Sequence, residues 1–387
     1  MNQTTQTPLP PFDIPPASRT VSVSIINTAS TIRNIPATSF LSPHIKGHDY
    51  LAAPCFSFLI HRHTPTSDRF LLFDLGIRKD VQNLPPPLLS HLSSLNWSLS
   101  APSSVPDILS PTIPLTNIEA IIYSHPHFDH IGDPSPFPPT TALLVGPGFT
   151  SSYLPAYPSN PKSSIPESAL SNRELIELDF SDSNRWKILN IGPFAAIDYF
   201  EDGSFYLLDA PGHAAGHICA LARVTSSIGV DPTEDSFVLM AGDVFHHVGE
   251  LRPNKWVPLP GVIWPSPFEG EEERSCKGGL FDKLLPEGRE RPFYKAVGEW
   301  NEDVLKLKET LGKVQMADGA GNVLVVGAHD ETLLDVVEIW PEGKLNGWLK
   351  EGWGERLGWR FLRDFGEAIG KGGTGNRERW GGSGKGE

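Results

Sequence analysis

A chain of 387 residues is long enough to bury a sizeable core, in one large domain or two ordinary ones. Hydrophobic residues at 39% and charged residues at 20% describe a soluble globular protein and exclude a disordered or membrane-embedded class. The formal charge, 32 minus 46 or −14, excludes nucleic-acid binding as the main activity, because that affinity comes from Lys and Arg neutralising phosphates.

Residues 1–18, rich in Thr and Pro, read as a disordered tail, without the basic and apolar regions of a signal peptide. No apolar run is long enough to span a bilayer, so a soluble cytoplasmic protein is expected. One domain over 19–369 follows. Alternating polar and apolar residues predict a half-buried strand at 20–26, and 53–61 and 70–74 read as two more, joined by a polar hairpin turn at 66–69. Leu88, Leu92, Leu95 and Leu99 have helical spacing after three prolines. The apolar run 118–123 predicts a buried strand, and 141–146 another. A Ser/Pro-rich excursion at 150–174 is long for a connection within a domain. Five short β-rich runs fill 186–241, and a second irregular insertion covers 251–290, where Trp256, Trp264 and Phe268 offer either an apolar wall to a pocket or core and dimer contacts. Helices are predicted over 291–311 and 331–340, with a buried strand at 323–326 between them. A Gly-rich disordered tail occupies 370–387. Cys55, Cys219 and Cys276 form no CxxC pair and read as buried free thiols.

The densest chemistry follows the strand at 118–123. His125, His127 and His130 with Asp129 place three imidazoles and a carboxylate within six residues, a ligand set for zinc and neighbouring divalent metals. His125 and His127, two apart, face one side if extended geometry persists, and so can share an ion. Asp129 and His130 follow in a loop that can turn toward a second ion. Three later stretches add ligand-type residues at strand ends: Pro211-Gly212-His213-Ala214-Ala215-Gly216-His217, Gly242-Asp243, and Gly327-Ala328-His329-Asp330.

In this order, His125-x-His127-x-Asp129-His130, His213 within Pro-Gly-His-x-x-Gly-His, then Asp243 and His329 resemble the motifs of the metallo-β-lactamase superfamily, over roughly residues 20–335. The resemblance implies an α/β fold, an αβ/βα sandwich of two mixed sheets flanked by helices. It implies two divalent metal ions, expected to be zinc: one held by His125, His127 and His213, the other by Asp129, His130 and His329, with Asp243 bridging. Asp74 matches the superfamily's early strand-end Asp, which holds structure rather than metal, and His217 is not normally a ligand.

The segments 74–76, 125–133 and 327–330 most resemble the lactonase-like branch, related to acyl-homoserine lactonases. That likeness implies hydrolytic opening of a hydrophobic lactone or similar cyclic ester by a metal-bridging hydroxide, with Asp129 steering the attack. A thioesterase or a lactam hydrolase on the same site is the alternative, and an iron-dependent redox enzyme a more distant one, since its flavin-partnered members carry Glu where this chain has His127. The branch's lactonases have a Tyr shortly after the bridging Asp. Here His246 stands in the comparable place, as a candidate proton donor or carbonyl-binding group.

Overall fold

The computed structural model of the protein describes residues 12–227, 235–268, 270, 271 and 274–371. Two mixed sheets stack face to face. The first runs, in spatial order, Ser98–Ser100, Ser22–Pro36, Tyr50–Thr64, Ser67–Phe73, Ile118–Ile122, Ala142–Val145 and Leu175–Glu177. Its first three pairings are antiparallel and its last three parallel. The second runs Val323–Val326, Ser236–Met240, Ile218–Thr225, Phe205–Asp209, Phe194–Asp198 and Ile188–Ile191, with only its first pairing parallel. This is the α/β sandwich that the sequence implies.

The two-residue period of each strand decides which side chain goes where. Val23, Ile25, Phe58, Ile60 and Phe73 of the first sheet meet Leu207, Ala220, Val238 and Met240 of the second in one buried cluster. Their alternate neighbours turn outward. Ile26, Leu59, Leu72 and Ile121 pack on the short helix Val105–Leu109, while Leu208, Cys219, Leu221 and Leu239 share a cluster with Leu307, Leu311 and Val314 of the helix Val304–Asp318. Each such Leu, Ile or Phe contributes about 1.5–3 kcal/mol on burial.

Several boundaries differ from the sequence reading, for local reasons. The helix expected over 291–311 is Val304–Asp318, because the Asp303 carboxylate accepts from the amides of Leu305 and Lys306 and starts the helix there. Upstream, Pro292 and Gly298 keep the chain irregular. The helix expected over 331–340 is one 3₁₀ stretch, Glu331–Asp335. The Leu-spaced segment forms the helix Pro86–Ser94 and then joins the first sheet as Ser98–Ser100.

Of the expected N-terminal tail, Phe12 packs edge-on against Phe194 at 6.4 Å and the Pro15 carbonyl accepts from Arg223, so packing begins before residue 19. Residues 1–11 and 372–387, most of the two expected tails, lie outside the described residues. The two excursions contribute to the core, through Ala156 and Ile165 in one and Leu259, Ile263 and Phe281 in the other. All three cysteines are buried and free. Among the described residues, no helix is long and apolar enough to cross a membrane.

Candidate metal centre

The strand Ile118–Ile122 delivers Ser124 and His125 to one end of the sandwich, where a buried carboxylate organises them. Asp74, just past the strand Ser67–Phe73, accepts from the Ser124 amide at 2.6 Å, from Ser124 Oγ at 2.7 Å and from His130 Nδ1 at 2.9 Å. Burial pushes the Asp74 carboxyl pKa up, against the pull of His130 and the Ser124 hydrogen bonds. A short helix, Phe128–Ile131, then turns Asp129 and His130 back toward the strand ends.

Three ring nitrogens converge next to it. His127 Nδ1 lies 3.0 Å from both His125 Nε2 and His213 Nε2. The other nitrogen of two of these rings is already committed: Ser124 Oγ, its own proton given to Asp74, accepts from His125 Nδ1 at 3.0 Å, and Asn301 Oδ1 accepts from His213 Nδ1 at 2.8 Å. The free lone pairs of His125 and His213 therefore point inward. Burial holds His125, His127 and His213 below the ordinary histidine pKa, and repulsion from neighbouring histidines adds to it against the pull of Asp243, which favours the neutral rings that bind metal.

A second group adjoins the first. His329 Nδ1 donates to the Pro54 carbonyl at 2.7 Å, which turns Nε2 toward Asp243 Oδ1 at 3.2 Å and Asp129 Oδ2 at 3.5 Å. His130 Nε2 lies 3.3 Å from Asp243 Oδ1 and 3.7 Å from Asp129 Oδ2. Asp243 faces both groups, since its Oδ2 is 3.5 Å from His213 Nε2 and 3.7 Å from His125 Nε2. Burial works against the Asp243 charge, but His130, His329 and His125 outweigh it and hold its carboxyl well below the usual range.

The residues fit a pair of divalent cations. His130 Nε2 and Asp243 Oδ1 are buried with no hydrogen-bond partner, a costly state that a cation between them would relieve. Tetrahedral coordination at about 2.0–2.1 Å puts ligand atoms roughly 3.3 Å apart, close to the 3.0–3.7 Å separations in both groups. The partners on the far ring nitrogens are those that orient metal-binding histidines.

The structure brings together all seven residues singled out as ligands, and explains why His217 stands apart. Its Nδ1 donates to the Ala210 carbonyl at 2.9 Å and its Nε2 accepts from the Asp243 amide at 3.0 Å, so neither nitrogen is free and the ring braces the carboxylate. His246 differs: both its ring nitrogens are buried without a partner, and Nε2 lies 3.4 Å from Asp243 Oδ2. The ring is packed on Phe40 at 4.4 Å.

His246 forms part of the wall of a mostly apolar cavity of about 100 Å³ over the two groups, with Ile32, Leu51, Leu92, Trp97 and Trp300. Of the two roles left open for Trp256, Trp264 and Phe268, the pocket wall falls away, since none of them lines this pocket; Phe268 packs on the core, and Trp264 is 56% exposed beside a separate surface groove. Sequence reasoning missed Asn301 and the aromatic wall of Phe40, Trp97 and Trp300, because no local pattern sets these residues apart from ordinary core and loop positions.

Gly212 makes the His213 loop possible. Its φ is +131°, and a Cβ there would lie 2.2 Å from the Leu307 amide nitrogen, inside the first turn of the helix Val304–Asp318. Gly212→Ala is expected to destabilise the fold by about 3 kcal/mol through overpacking and backbone strain. Urea unfolding measures this, and an unchanged midpoint would refute the close approach.

No family model matches the chain. Among curated proteins it is 42% identical to Gamma-lactamase FDB1 of Fusarium pseudograminearum over 363 residues, 92% of this chain and 85% of that one. It is 37% identical to Metallo-hydrolase mfmC of Annulohypoxylon moriforme over 378 residues, covering 95% of this chain and 93% of that one. Among solved structures, an N-acyl homoserine lactone hydrolase with N-hexanoyl-L-homoserine at its catalytic metal centre shares the fold, with a TM-score of 0.52 and 14% identity over 84% of this chain and 99% of that one.

Proposed function

The chain belongs to the metallo-β-lactamase superfamily of metal-dependent hydrolases, and from that premise we propose that it opens the ring of a small apolar γ-lactam. His125, His127 and His213 would hold one ion and Asp129, His130 and His329 the other, with Asp243 facing both groups. When bound, two divalent ions, which we take to be zinc, would supply a hydroxide nucleophile at neutral pH and polarise the scissile carbonyl. Asp129 lies at the cavity floor, where its carboxylate orients the attacking oxygen.

The observation that carries the reading is His246. Its unpartnered Nε2 stands at the wall of the apolar cavity, beside the Asp243 carboxylate. Ring opening of an amide breaks a C–N bond, and the departing nitrogen leaves only as it gains a proton. His246 Nε2–H supplies it. An alkoxide departs from a lactone with less help, so a buried imidazole able to give a proton favours the lactam over the cyclic ester. Among the described residues, the cavity is lined by no Lys or Arg, which suits a substrate without an anionic group beyond the reacting ring.

The test is a matched panel of γ-lactams and γ-lactones with the same apolar substituent, on protein whose metal content has been measured. Turnover of the lactams is expected, with His246→Ala lowering their kcat by about 100-fold and the lactones' by much less. Turnover of lactones alone would replace the lactam by the cyclic ester, and turnover of thioesters alone would overturn ring opening altogether.

A further inference from the structure

His246 also faces a second cavity. This rear chamber, about 30 Å³, is lined by His48, His247, Asp330 and Asp364 as well as by His246 and His329. It is roomy enough to hold water. His48, His247 and Asp364 bring ligand-type atoms within 4.8 Å of one another, which suggests a third cation site. The hydrogen bonds argue otherwise. The Gly249 amide donates to His247 Nδ1 at 2.9 Å, so the proton of that ring sits on Nε2, where it meets Asp364 Oδ2 at 3.2 Å. A cation would need the lone pair that this proton occupies.

The protons of the remaining groups can be placed in the same way. Burial pushes the Tyr294 phenol far up, so it stays protonated, and lowers His48 to about 4 with help from His247, so that ring stays neutral. Tyr294 Oη and His48 Nδ1 are 2.6 Å apart, and the phenol has no other acceptor among the described residues. Tyr294 therefore donates to Nδ1, and the proton of His48 is on Nε2. That N–H is buried without a partner. So are both nitrogens of His246, whose ring stands between the two cavities with Nε2 on the metal side.

We propose that one water in the rear chamber accepts from His48 Nε2–H and donates to His246 Nδ1, so that Tyr294 and His48 fix the His246 proton on Nε2, facing the substrate. The inference rests on the role given to His246 above, and makes His48 and Tyr294 positioning residues that never touch substrate. The water satisfies two buried orphan atoms at once, each costly to leave unpaired. A neutral imidazole carries one proton, and the partner of one nitrogen decides where it sits.

The test uses the metal-loaded protein, with ion content measured for each variant. Nitrogen-15 spectra of the His246 ring are expected to give an unprotonated Nδ1 in the natural protein and a mixture of tautomers in Tyr294→Phe and His48→Leu. Each of these variants should lose about tenfold in kcat with KM nearly unchanged, and His48→Gln, which keeps a donor toward the water, should recover most of it. In a His246→Gln background, His48→Leu should cost nothing further. If His246→Gln keeps the full rate, the role of His246 fails, while the spectra still decide the tautomer. If His246→Gln slows the enzyme but His48→Leu leaves the spectrum unchanged, or its loss persists in the double variant, the proposal is overturned.

Discussion

Asp243→Ala is expected to abolish turnover, by about a thousandfold or more, and to leave the protein unable to retain two ions through gel filtration. The carboxylate lies within 3.7 Å of the inward-facing Nε2 atoms of His125 and His213 in one group and of His130 and His329 in the other, so its loss affects both at once. Several kcal/mol of transition-state stabilisation depend on the ions, and each 1.36 kcal/mol is a factor of ten in rate. The buried histidines left without the carboxylate repel one another when charged, so the variant should also unfold at a higher pH than the natural protein as acid is added. Elemental analysis beside single-substrate kinetics checks the prediction. Two retained ions with full activity would remove Asp243 from the centre.

The second large effect is expected at a residue that touches no ion. Asp74→Ala removes one buried carboxylate and orphans three donors, the Ser124 amide, Ser124 Oγ and His130 Nδ1. Each buried donor left unpaired costs about 1–3 kcal/mol, so a loss near 3 kcal/mol in stability is the modest expectation. Freed from Asp74, the His130 ring can turn, and affinity for the ion it holds should fall by about 10–100-fold. Asp74 also sits at φ +61°, a left-handed backbone that Asp tolerates better than Ala. Asp74→Asn should recover only part of the loss, because its amide NH₂ faces donors. Competition with a chromophoric chelator measures the affinity; equal chelator curves for Asp74→Ala and the natural protein would show that the His130 orientation does not depend on this carboxylate.

The candidate site was legible because its chemistry is concentrated. His125, His127, Asp129 and His130 lie in one run, and His213, Asp243 and His329 each follow an apolar strand, so ligand type and strand end coincide. The sheets were legible for a related reason: Val23, Ile25, Phe58 and Ile60 keep the two-residue period that burial on one face imposes. Helix limits were less so. Leu305 and Leu307 belong to a helix that begins at Val304, although the pattern from 291 onward reads as helical, because the Asp303 cap sets its start. The side chains that complete the site come from segments distant in sequence. Asn301, Phe40 and Trp300 gain their roles only when the chain folds them beside His213 and His246, and nothing in their neighbours announces it.

Each of the two ligand groups draws on both sheets. His125, His127, Asp129 and His130 follow the strand Ile118–Ile122, whereas His213, Asp243 and His329 follow strands of the second sheet. The apolar layer between the sheets, with Phe58, Phe73, Val238 and Met240, therefore acts as a spacer gauge within each group. Packed side chains resist compression, so a methylene added to or taken from that layer is transmitted as a change in the distance between ligands that belong to one group. The interior of this protein thus sets a tolerance on its chemistry, and a substitution far from any ligand can detune the centre without altering one atom of it.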